Sequence, residues 1–141
     1  MNPTFFKIIA IIPGIVVLQN ALLFVLQPSK VVADLGMPLL DGIGRSTQLA
    51  DLGAFFVFSA ALIIYGVIQS KSACLRAVAL LLGLAAGLRV LAWAAHGADL
   101  ATTLIVAETV LVVWLVASAA YMDKLVPVSY THLTLPTNRE V

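Results

Sequence analysis

Charged side chains are scarce in this chain: Asp, Glu, Lys and Arg together make up 11% of its 141 residues, where a soluble domain carries about a quarter. Lys and Arg number eight and never form a block, so no basic face exists to neutralise a phosphate backbone, and nucleic acid is excluded as a partner. The lone cysteine, Cys74, excludes an intrachain disulfide. The Cys and His residues have no zinc-site spacing, so no metal site is expected. No cofactor motif is present either: Gly83-x-x-x-Gly87 is helix-packing spacing rather than a nucleotide loop.

Apolar residues dominate instead. They make up 62% of the sequence, mean hydropathy is +1.07, and the solvent for most of the chain is therefore lipid. A helix crossing the hydrocarbon core needs about 20 mostly apolar residues. Four segments qualify: Phe5 to Leu26, Ser46 to Ile68, Ala73 to Ala95 and Leu100 to Tyr121. In the first, Lys7 precedes an apolar run in the manner of a signal peptide, but the run's length and the lack of a small-residue cleavage pattern make it a retained span. Pro13-Gly14 inside it removes a backbone donor and predicts a kink.

The linkers "QSKS" and "HGAD" are so short that spans two, three and four must run antiparallel to their neighbours. The first linker is longer. Pro28-Ser29 reads as the cap of a short amphipathic helix through "KVVAD" that stops at Gly36 and lies at the membrane interface. The expected fold is thus an all-α, up-down four-helix membrane bundle over residues 1–126, with a short interfacial helix after the first span. Lys7, Lys71, Arg76 and Lys124 fall on the side of the N-terminus, against Lys30 and Arg45 opposite. This bias predicts cytoplasmic termini.

The segment from Pro127, "PVSYTHLTLPTNREV", breaks with everything before it. It resembles translated sequencing-adaptor DNA at the ends of metagenomic reading frames, so residues 127–141 are expected to be an artefactual or disordered tail. His132, Arg139 and Glu140 then carry no functional weight, and the natural C-terminus is expected to be missing.

The hairpin topology places polar side chains in one layer. At about 1.5 Å per residue, Arg89 lies about 9 Å below the extracytoplasmic surface, Asp51 about 7 to 8 Å, Gln19 and Asn20 about 10 Å and Glu108 about 12 Å. A lone charge at such depth costs about 2.5 to 3.5 kcal/mol on insertion scales, so these residues are expected to face inward and pair. Arg89 is the only deep cation, and its planar fork can bridge Glu108 and Asp51. Arg45 shadows Asp51 from above, and His96, seven residues after Arg89, caps a helix end at the surface. His96 with Asp99 supplies only two potential metal ligands, one too few. Asp34 and Asp41 read as solvated loop charges.

The stretches "GRSTQLADLGAFFVFSAALIIYGV", "LRAVALLLGLAAGLRVLAWAAHGAD" and "AETVLVVW" resemble an uncharacterised bacterial family of small four-helix membrane proteins, the domain of unknown function 4345 type, similar in layout to DoxX-like proteins. The likeness covers residues 5 to 122, and its specific points are Arg45, the run from Arg89 to Asp99, and Glu108. It implies a bacterial inner-membrane bundle, and DoxX-like relatives further imply quinone-linked membrane oxidation.

Taken together, the sequence predicts a small multi-pass inner-membrane protein. A structural or accessory subunit with a buried charge cluster is the leading reading, with no catalytic constellation and no cofactor. A transport or binding protein for a small molecule or a proton is one alternative, and a quinone-linked oxidoreductase component is another. The lipid bilayer, a second copy of the chain and a membrane partner subunit are the expected partners.

Overall fold

The computed structural model describes residues 2–125; the segment read as an adaptor-derived tail lies outside them. Five helices follow in order: α1 (Pro3–Leu26), α2 (Pro28–Asp34), α3 (Gly42–Ile68), α4 (Ser72–His96) and α5 (Thr102–Leu125). No strand occurs among the described residues. In lipid a backbone must satisfy its own donors and acceptors, which leaves such a chain little choice but helices. Four of these helices are long and apolar enough to cross a membrane.

Local chemistry sets the boundaries. The Asn2 side chain accepts the amide of Thr4 at 3.0 Å, and Pro3 occupies the first turn, where its missing donor costs nothing. The helix α1 runs on through Pro13 without interruption. The short α2 begins at Pro28 with Gln27 in the cap position and no side-chain cap bond, so Ser29 is already helical rather than the expected cap. It ends where Gly36 takes a φ of +76° and the amide of Met37 donates to the carbonyl of Val32 at 2.8 Å. Gly97, at φ +66°, closes α4 in the same left-handed way.

The bundle consists of two intimate pairs, α1 with α3 and α4 with α5. The pairs join along α3 and α4, and touch more lightly between α1 and α5, where the Phe6 and Tyr121 rings lie 4.6 Å apart. All four long helices meet at the end that holds both Asn2 and Leu125, hereafter the terminal end. There Phe6, Ala10, Ile63, Leu75, Leu115 and Met122 belong to one buried cluster. A second cluster, around Phe24, Val31 and Val32, lies under α2 at the far end and draws only on α1, α2, α3 and the linker. The two pairs are therefore cemented at one end alone.

Glycines mark the tightest approaches, though not the expected ones. A Cβ on Gly66 would lie 2.6 Å from Leu75 Cδ1 and 2.8 Å from Cys74 Cβ, and one on Gly14 would lie 3.0 Å from Ile63 and Ile64. By contrast, a Cβ on Gly83 would only reach ordinary contact with Val112, and Gly87 faces open space. Large apolar side chains such as Ile15, Leu22, Phe58, Leu84, Leu88 and Val113 cover the outside. A soluble monomer rarely exposes more than a few hundred Å² of contiguous apolar surface, so this exterior is built for acyl chains.

Candidate functional site

Because α4 and α5 are joined only by Gly97–Ala101, residues equally far from that turn come level. Arg89 stands eight residues before Gly97 and Glu108 seven after Ala101. The Arg89 Nε donates to both carboxylate oxygens of Glu108, at 3.1 Å to Oε1 and 3.2 Å to Oε2. The Glu108 side chain is 13% exposed and that of Arg89 is 32% exposed. The carboxylate is thus sunk in the wall while the guanidinium reaches past it.

What Arg89 reaches into is a cavity of about 500 Å³ between the two helix pairs. Its floor is apolar, formed where Phe55, Leu82 and Leu111 join the terminal-end core. Asn20, Arg89 and Glu108 line the wall, and Val31, Asp34, Leu35 and Met37 from α2 and its following linker also border the space. The cavity exists because α2 packs on α1 and α3 but not on α4 and α5. At this end, no side chain among the described residues bridges the full width between the pairs except the rim residues of α2 and its linker.

The other sequence-predicted residues divide. Asn20 borders the cavity and donates its Nδ2 hydrogen to the carbonyl of Val16 at 3.2 Å. Gln19, its neighbour, points outward and makes no side-chain hydrogen bond among the described residues. Asp51 does not meet Arg89: it is exposed, does not line the cavity, and has no ion-pair partner among the described residues. Nor does Arg45 shadow it. Arg45 folds back on its own turn, donating from Nε to the Leu40 carbonyl at 2.8 Å and from Nη2 to Asp41 Oδ1 at 2.6 Å. His96 is exposed in the last turn of α4. Asp34 is exposed, as expected of a solvated charge, but it closes α2 rather than lying in a loop, and it borders the cavity.

Two polar devices escaped the sequence reading. Gln48 is buried, its Oε1 accepting the amide of Leu40 at 3.1 Å and its Nε2 donating to the carbonyl of Pro38 at 3.1 Å. It pins the linker that follows α2. The signal was its place at the head of an inward stripe on α3, Gln48, Leu52, Phe55, Ser59, Ile63 and Gly66. At the terminal end Asp123 accepts hydrogen bonds from Ser72 and Arg76. Thirteen residues back from Arg89 and fifteen on from Glu108, this is the same antiparallel count about 20 Å further along the pair.

Among the described residues no group of three or more His, Cys, Asp or Glu side chains is placed to hold a metal ion. No known protein family, characterised protein or solved structure matches the chain.

Proposed function

We propose that this chain is a small inner-membrane protein of bacterial type, with both termini cytoplasmic, that binds a small, largely apolar molecule between its two helix pairs. The observation that carries this reading is the cavity itself. At about 500 Å³ it falls within the roughly 300 to 1,000 Å³ of ordinary small-molecule sites, and it joins an apolar lining to a few convergent polar groups, as such sites do. The terminal end carries Lys7, Lys71, Arg76 and Lys124, which supports its cytoplasmic placement. Any likeness to DoxX-like proteins enters through layout alone, an arginine late in α4 and an acid early in α5.

Ala85 borders the cavity on α4, one turn from Arg89, and an Ala85→Phe substitution takes up part of the space while leaving both members of the ion pair in the sequence. Native mass spectrometry and solvent extraction of the protein purified in mild detergent should find a small molecule on the wild type that is lost from the Ala85→Phe variant at unchanged helicity. Equal small-molecule content in the two proteins would overturn the reading.

A structural role for the same ion pair draws on a different observation: Arg89 and Glu108 tie two helices that already pack intimately. Under that reading, replacing both by apolar residues preserves assembly, since a fully apolar contact stands in for a buried pair without loss. It leaves the cavity without a purpose, and for that reason we rank it second.

A further inference from the structure

Arg89 spends only one of its three nitrogens on Glu108. Both contacts come from Nε, and the two terminal nitrogens, with four N–H groups between them, make no hydrogen bond among the described residues. They belong to a side chain that lines the cavity. The Arg89 side chain is 32% exposed; within a membrane bundle its free N–H groups have few water partners, and donors left without acceptors are costly. A bound molecule that supplies an acceptor recovers this.

The charge balance narrows the class of acceptor. Around the cavity the Arg89 guanidinium is already matched by the Glu108 carboxylate, with the exposed Asp34 at the rim, so an anion would add an unmatched negative charge beside Glu108, where like charges repel. A cation suits the carboxylates but meets the guanidinium as a like charge and leaves its N–H groups unpaired. An uncharged oxygen acceptor avoids both penalties. The space also limits the body of the molecule. On α4 the lining runs from Leu82 to Arg89, seven residues or about 10 Å, and Phe55 and Phe56, with rings 5.5 Å apart and nearly perpendicular, form part of the apolar wall. This is room for one or two rings or a branched aliphatic body.

We infer that the cavity selects a compact, uncharged apolar molecule of the carbonyl class, whose oxygen accepts hydrogen bonds from the terminal nitrogens of Arg89 while Glu108 holds the guanidinium through Nε. The inference rests on the binding reading above and adds the chemistry of recognition to it.

Four probes of similar bulk test it on the full chain in detergent micelles, by equilibrium dialysis with empty micelles as the baseline. They are benzophenone, with a neutral carbonyl; diphenylmethane, with the same body and no acceptor; diphenylacetate, an anion; and benzhydrylamine, a cation at neutral pH. Benzophenone is expected to bind about tenfold more tightly than diphenylmethane, and more tightly than either charged probe. In the Arg89→Met/Glu108→Leu double variant, which removes both charges together, the preference for benzophenone over diphenylmethane should fall to about onefold while diphenylmethane still binds. Equal binding of benzophenone and diphenylmethane to the wild type, both lost in Ala85→Phe, would overturn the carbonyl inference and leave the binding site standing. Tighter binding of diphenylacetate or benzhydrylamine would overturn the uncharged class. Binding of all four that is indifferent to Ala85→Phe, or no binding above the micelle baseline, would remove the site and the inference together.

Discussion

Gln48 accepts the backbone amide of Leu40 at 3.1 Å from a buried position on α3, so a side chain in one helix stands in for the hydrogen bonds that a linker cannot make with itself. The Nε2 of the Gln48 side chain in turn donates to the carbonyl of Pro38. Gln48 thereby fixes the linker whose Met37 borders the cavity. Substitution Gln48→Leu keeps the bulk and removes both bonds, leaving two backbone groups short of partners at a cost of about 1 to 3 kcal/mol. A lower thermal midpoint in detergent and faster hydrogen exchange at the Leu40 amide are expected. The matched change Gln19→Leu, at an exposed side chain with no hydrogen bond among the described residues, should leave both unchanged.

Gly66 offers a steric test of how the two helix pairs are joined. Any Cβ there meets Leu75 Cδ1 at 2.6 Å, Cys74 Cβ at 2.8 Å and the carbonyl of Lys71 at 3.1 Å, and the last is backbone that cannot swing away. Gly66→Ala should lower stability by about 1 to 3 kcal/mol through overpacking. Gly87→Ala faces open space and gains helix propensity, so the bundle should hold or gain up to about 1 kcal/mol. Thermal melts of both variants in one detergent decide the matter, and equal effects would show that the turn between α3 and α4 does not set this packing.

These examples show which parts of the fold and site the sequence exposes. The spans are legible because lipid demands about 20 apolar residues in a row, and the pairing of Arg89 with Glu108 follows from counting outward from a five-residue turn. Counting gives height but not azimuth. Asp51 lies near the expected height yet sits one residue off the stripe that carries Leu52 inward, and a rotation of about 100° per residue puts it outside. In a soluble helix a polar face would have revealed the inward one. Here lipid and core are equally apolar, and that signal is erased. The cavity was illegible for another reason: it arises from α2 siding with one helix pair, a choice no local pattern records.

A double-mutant cycle separates the ion pair from its surroundings. Arg89→Gln and Glu108→Gln should each destabilise, and their combination should fall short of additivity by about 0.5 to 3 kcal/mol, as expected of groups in direct contact. Arg89→Gln combined with Asp51→Asn should be additive within about 0.5 kcal/mol, because the structure places no contact between them. Coupling between Arg89 and Asp51 equal to that between Arg89 and Glu108 would mean that the guanidinium turns to both acids, as the sequence alone suggested.

Salt should distinguish the two bridges that tie α4 to α5. Arg76 and Asp123, with side chains 54% and 44% exposed, sit at the terminal end among the lysines, where solvent ions reach them. Arg89 and Glu108 are more deeply set, at 32% and 13%, beside a mostly apolar cavity. Screening shortens from about 10 Å at 0.1 M salt to about 3 Å at 1 M, and acts far more on exposed pairs than on sheltered ones. The coupling measured between Arg76→Gln and Asp123→Asn should therefore shrink toward zero across that range, while the coupling between Arg89→Gln and Glu108→Gln persists. Loss of both in parallel would place Arg89 in contact with bulk solution, and the cavity would then be an aqueous inlet rather than a sheltered site for an apolar guest.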